Sequence, residues 1–267
     1  MSTAALALRQ VRFANKAFWR NPASAFFTFA FPLMFLVIFT ALLGSGTSDF
    51  GRAPYLVHIK DATYYVVAMG AFGVITATYT NIAISVTFQR DAGILKRVRG
   101  TPLPSWAYLF GRIVHAVIVA AILVAITMLF GRVFYGAALP AGTALLQFIA
   151  TFLVGSLSFT ALALALTSVV PNADAAPPVV NATVLPLLFL SGVFFPVSSS
   201  SPVWIRTIGT VFPVKHFMNA IIGGYLSNVP NADKVFPFRG TDVLVIALWG
   251  VAGLVLAARF FSWEPRT

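Results

Sequence analysis

The chain has 267 residues, 59% of them apolar and 9% charged, and its mean hydropathy is +0.89. Soluble domains carry roughly 25% charged residues, so a water-exposed surface is excluded for most of this chain and lipid is its expected solvent. The formal charge of +11 comes from 18 cations scattered among apolar runs, the pattern of basic loops beside a bilayer and not of a nucleic-acid face; with no cysteine, disulfides, thiol catalysis and thiolate metal sites are excluded too.

The first 25 residues carry Arg9, Arg12, Lys16 and Arg20. At 100° per residue these fall within about 80° of one another, opposite Ala7, Val11, Ala14 and Phe18, which predicts a helix lying along the membrane interface with its basic face towards anionic headgroups. The apolar run 26–43 follows. Its leader is long and the run exceeds a signal-peptide core, so it is expected to be a retained span. Further spans are predicted over 64–88, 106–130, 143–169, 177–196 and 242–262, each near the ~20 residues that cross a bilayer. Pro32 in the first and Pro186 in the fifth are expected to kink their helices. With the N-terminus inside, eleven cations lie on the inner side (Arg9, Arg12, Lys16, Arg20, Arg90, Lys96, Arg97, Arg99, Arg112, Arg259 and Arg266) and seven outside (Arg52, Lys60, Arg132, Arg206, Lys215, Lys234 and Arg239). That asymmetry predicts a multi-pass chain with both termini cytoplasmic.

Between spans two and three stands the run Gln89 to Pro104, which holds four cations, one acid and four glycines or prolines. Gly93 breaks the second span. Ile94 to Arg99 then fit a helix of under two turns, with Ile94, Leu95 and Val98 on its apolar side and Lys96, Arg97 and Arg99 on its charged side. So short a helix is unstable alone, so a groove on a partner is one expected support; a basic loop that only enforces topology fits the spacing equally. The segment 197–241 opens on Ser198 to Ser201, a flexible start, yet holds Trp204, Ile205, Val211, Phe212, Phe217, Met218, Ile221 and Ile222. It is expected to form short helices that dip into the outer leaflet or cap the bundle.

All seven acids fall at span ends or in loops, whereas ion-coupled carriers need ionisable groups within the membrane. His115 lies inside span three, where an interhelical hydrogen bond is expected over a proton relay. No catalytic cluster, metal-ligand set or phosphate-binding loop is found. Catalytic residues, metal and bound cofactor are therefore all expected to be none, and the chain is not expected to be an enzyme.

The run Gln89 to Pro104 resembles the signature of type-2 ABC exporter permeases, where a charged triplet and a glycine precede a coupling helix. Leu190-Ser191-Gly192-Val193-Phe194-Phe195-Pro196 resembles the end of their fifth span, and Phe212-Pro213-Val214-Lys215-His216-Phe217-Met218-Asn219-Ala220 their later proline-containing segment. The likeness covers nearly the whole chain and is nearest to drug-resistance permeases of the daunorubicin-exporter kind; Gln89 departs from the usual glutamate. It implies an all-α integral membrane fold in one transmembrane domain, 1–267: interfacial helix 1–25, spans one to five over 26–196, an extracellular or re-entrant segment 197–241, and span six. It also implies two copies of a separate ATPase subunit that bind ATP and Mg, and a second permease copy or paralogue. The partner's force would enter through Arg90, Asp91, Gly93, Ile94, Leu95, Lys96, Arg97, Val98 and Arg99, with Ile94, Leu95 and Val98 inserted in the partner and Lys96 and Arg97 paired with its acids.

In such permeases spans two and five face the dimer axis. This implies a substrate path along Thr76, Thr80, Asn81 and Thr87 of span two and Asn181, Thr183, Phe189, Phe194 and Phe195 of span five, although small and hydroxyl side chains serve ordinary helix packing too. The 26 phenylalanines suit an apolar or amphipathic cargo (a drug-like compound, lipid or glycolipid) exported across the cell membrane. The rival readings are an ATP-independent channel, scramblase or secondary carrier, an integral-membrane enzyme, and a docking subunit.

Overall fold

The computed structural model describes residues 3–43, 46–52, 55–197 and 201–264, and the side chains of all these except Leu43 and Arg52. Ser198 to Ser200 of the predicted flexible start, and Arg266 of the charge tally, lie outside the described residues. The architecture is helical, with one two-stranded hairpin.

Helix α1 (Thr3–Trp19) keeps the predicted partition: Ala7 and Ala14 are buried, while Arg9, Arg12, Lys16 and Arg20 are exposed. Its buried side rests on a later helix, α6 (Ser105–Tyr135). Gln10 comes so near Gly111 there that a Cβ on the glycine would stand 2.5 Å from the Gln10 Cβ. Asn21 Oδ1 accepts from Ser24 N at 3.2 Å and Pro22 takes the first helical position, a cap and a proline where each is favoured. The span α2 (Pro22–Leu43) then runs through Pro32 as one helix.

An antiparallel hairpin, β1 (Thr47–Arg52) and β2 (Tyr55–Lys60), precedes the second span. Sequence patterning had assigned no structure there. Val57 and Ile59 point inward and Phe50 stacks on Tyr64, centroids 5.4 Å apart. The second span runs Asp61–Asp91 in three pieces: α3 (Asp61–Ile75), a π-helical turn (Thr76–Thr80) and α4 (Asn81–Asp91). Every residue of α3 is buried, so this half of the span is the centre of the bundle. The short helix α5 (Ile94–Arg99) leads to α6 and then to α7 (Thr143–Thr167).

The predicted fifth span, 177–196, is shorter than its apolar run. Helix α8 (Ala176–Leu190) has 15 residues, about 22 Å of rise against a core of about 30 Å. Gly192 adopts φ +88°, open to glycine but strained for other residues, and Tyr64 Oη donates to its carbonyl at 2.6 Å. Hydropathy continues past Leu190; the helix does not. Among the described residues, five helices are long and apolar enough to cross a membrane, and α8 is a shorter apolar one.

The segment before the last span forms α9 (Val203–Val211), α10 (Pro213–Leu226) and α11 (Ala232–Val235). It packs onto the bundle: α10 is nearly all buried, with Phe217 filling the space over Gly155 of α7. The last span, α12 (Gly240–Phe260), packs along α7, where a Cβ on Gly250 or Gly253 would stand within 3 Å of Ser158 or Leu162. Small residues that let helix backbones approach are the usual glue of apolar spans.

Candidate functional site

The charged run folds as a platform at one end of the bundle. Gly93, with φ +68°, ends α4 and starts α5, and Thr101 Oγ1 closes the far end by donating to the Val98 carbonyl at 2.7 Å. The platform is fastened from within. Tyr108 Oη, in the first turn of α6, donates to Gln89 Oε1 at 2.5 Å. Arg90 is 1% exposed, and its guanidinium donates to the carbonyls of Thr167 (2.9 Å), Val170 (3.0 Å) and Pro171 (3.1 Å). Its Nε donates to Asp91 Oδ1 at 3.0 Å, and Asp91 Oδ2 accepts from Ala173 N at 2.6 Å. A buried guanidinium is tolerable only with its charge compensated and its donors used. Here a carboxylate and the negative carbonyl end of α7 do both. The triplet thus ties the second span to α6, to the end of α7 and to the loop that opens α8.

These geometries redistribute the residues predicted to meet a partner. Arg90 and Asp91 are turned inward. Leu95 is 0% exposed and packs among Ile82, Val86, Tyr108 and Leu164. It therefore offers nothing to a partner, contrary to the expectation that it inserts into one. Val98 packs partly on the same cluster. Ile94, Lys96, Arg97 and Arg99 remain exposed, an apolar tip with three cations; Arg97 also donates to the Ala92 carbonyl at 3.2 Å. Sequence reasoning missed Tyr108, Thr167 and Ala173. Two of these act through backbone atoms, which no residue type announces.

The predicted path residues divide. Thr76, Thr80, Asn81 and Asn181 come together in a cleft of about 520 Å³ between α2, the second span and α8, with Phe27, Phe31 and Leu185 among its walls. Thr80 Oγ1 is buried without a hydrogen-bond partner, whereas Thr76 Oγ1 donates to the Phe72 and Gly73 carbonyls at 3.0 Å. The π turn sets this out: one extra residue per turn sends Thr76 and Thr80 into the cleft and Tyr79 to the far side of α8, where its hydroxyl meets Thr183 Oγ1 at 2.9 Å. Such turns are frequent at functional positions. Thr87 is not in the cleft; it is buried and bonds the Ala83 carbonyl of its own helix. Phe189, Phe194 and Phe195 gather instead with Phe35, Phe39 and Phe72 in an aromatic cluster that adjoins the cleft through Phe72.

Elsewhere in the bundle, His115 is buried with its Nδ1 unpartnered and its ring edge-on to Phe18 of α1, so its expected interhelical bond is replaced by an aromatic contact at Nδ1's expense. Arg112 bonds Ser85 Oγ. Among the described residues no three His, Cys, Asp or Glu side chains gather where one ion could be held.

Two curated relatives match the chain, the probable multidrug ABC transporter permease YbhR of Escherichia coli (strain K12) and its counterpart in Escherichia coli O157:H7. Each is 27% identical over 177 residues, which is 66% of this chain and 47% of the relative. The chain thus matches about half the length of these relatives. The model of the ABC-2 type transporter family matches residues 5–226, from the amphipathic first helix through the platform and the cleft to the end of α10. Most of the chain lies inside that match, and the protein belongs to the ABC-2 type transporter family.

Proposed function

We propose that this chain is the membrane-embedded subunit of an ATP-driven exporter, taking its energy from a separate ATPase subunit and moving an apolar or amphipathic compound outward. The observation that carries the reading is the platform: α5 presents Ile94, Lys96, Arg97 and Arg99 outward from a base buckled to α6, α7 and α8. Force applied to that face reaches three helices at once. The family resemblance supports two ATPase copies, holding ATP and Mg themselves, and pairing with a second permease copy or paralogue. The basic face of α1 supports contact with lipid headgroups, and the charge asymmetry supports a plasma-membrane chain with cytoplasmic termini. The name of the YbhR relatives supports a drug-like cargo; the cleft, with apolar walls and six serine, threonine and asparagine side chains, suits an amphiphile.

The test is co-purification with the ATPase subunit. Ile94→Asp with Arg97→Glu is expected to abolish stoichiometric association while the chain stays folded, as both side chains are exposed. Retained association, or transport by vesicles holding this chain alone, would sink the proposal.

A further inference from the structure

A second and larger cavity, of about 900 Å³, lies on the side of α8 away from the cleft, between α7, α8 and α12. Leu162, Leu166, Leu187, Phe212, Trp249 and Leu256 are among its walls. It follows α12 from Trp249 to Phe260, about 16 Å of helical rise, and so has the form of a trough. The polar groups along it are already used: Tyr79 and Thr183 bond each other, Ser168 Oγ donates to the Ala165 carbonyl, and Trp249 Nε1 donates to the Val211 carbonyl at 3.2 Å. The trough therefore rewards an apolar occupant and offers little to a polar one.

One end is different. Leu190, Ile208 and Val214 line it, and Gly209 of α9 sits against both the Leu190 carbonyl and the Lys215 stem. Lys215 Nζ donates to the Arg206 carbonyl at 3.0 Å, which holds the lysine ammonium against the backbone of a second basic residue. Arg206 Nε is buried without a partner. Among the described residues neither cation has an acid within ion-pair distance, and Asp242, at the start of α12, is committed to His216 at 2.5 Å. Neither cation lines the trough; both belong to the short helices whose Ile208 and Val214 close this end, and an apolar trough with two cations just beyond its end is the complement of an amphiphile with an anionic head.

We propose that this trough holds an acyl chain of an anionic membrane phospholipid whose phosphate sits against Arg206 and Lys215, a resident lipid distinct from the cargo. The cleft proposed for cargo lies across α8 and keeps the unpartnered Thr80 hydroxyl; the trough keeps no such group along its length. Trp249, in the trough wall, is a built-in reporter. In a chain with Trp19→Phe, Trp106→Phe, Trp204→Phe and Trp263→Phe, fluorescence comes from Trp249 alone. In phosphatidylcholine vesicles doped with lipid brominated on its acyl chains, brominated phosphatidylglycerol is expected to reach half-quenching at an about fivefold lower mole fraction than brominated phosphatidylcholine, the effect of one screened charge contact. Arg206→Gln with Lys215→Gln is expected to erase that preference, and Arg206→Lys to keep it. Equal quenching by the two lipids in the otherwise unaltered chain, or a preference that survives the double substitution, overturns the proposal. If the double variant does not fold, the comparison of the two lipids still decides. The assay needs neither ATPase nor transport, so its outcome is independent of the exporter reading.

Discussion

Removing the Arg90 guanidinium would take one partner from the Asp91 carboxylate, which keeps its bond to Ala173 N, and the donor from three carbonyls at and just beyond the end of α7. Loss of one partner from such a buried arrangement costs about 3–5 kcal/mol, so Arg90→Ala is expected to lower the melting temperature of the detergent-solubilised chain sharply. Arg90→Lys restores the charge but carries its three donors on one nitrogen, where the fork spread them over three carbonyls and a carboxylate; it should recover only part of the loss. An unchanged melting temperature in Arg90→Ala, with ATPase association lost, would place this arginine at the partner instead. The sequence marks Gln89, Arg90 and Asp91 as chemically unusual at the end of an apolar run. It does not say where they point, because the main acceptors are backbone atoms of Thr167, Val170 and Pro171, some 80 positions away. Leu95 was misread for a related reason: on a helix this short, apolar spacing marks a face without saying whether a partner or the chain itself covers it.

The α5 helix and its neighbours separate what patterning encodes from what packing decides. Five long spans and the amphipathic α1 follow from apolar length and 3.6-residue periodicity, which any solvent boundary enforces. The stop of α8 at Leu190 does not, since the apolar run continues and a glycine with positive φ ends the helix. The hairpin was missed because Tyr55–Lys60 alternates over only six residues, too short to stand out beside spans of 20 or more. The two faces of α5 can be told apart by experiment. Leu95→Asp puts a carboxylate at a fully enclosed position, and the chain is expected to lose its monodisperse peak in size-exclusion chromatography. Ile94→Asp, one residue earlier, should leave that peak intact. Equal damage from both would mean that α5 is embedded on all sides; equal tolerance would mean that Leu95 is free.

At the scale of the whole molecule, α8 stands between the cleft and the trough, and its entry loop is bonded to Asp91 beneath the platform. A push on α5 reaches that wall through the Asp91 bond to its entry loop, whereas α2, the opposite wall of the cleft, packs on α3 and α6. Under the proposed function, the cleft widens or narrows by displacement of α8 relative to α2. Phe27 on α2 and Leu185 on α8 both line it, and the native chain has no cysteine to interfere. In the Phe27→Cys, Leu185→Cys chain, a short thiol-reactive cross-linker is expected to lower transport at least about tenfold, a barrier change of roughly 1.4 kcal/mol or more. Association with the ATPase should survive, and a reducing agent that cleaves the linker should restore transport. Either single cysteine treated with the same reagent should retain most of its activity, which separates locking from simple obstruction. If the cross-linked protein transports normally, the two walls do not move apart during the cycle, and the cleft is a static packing defect between helices.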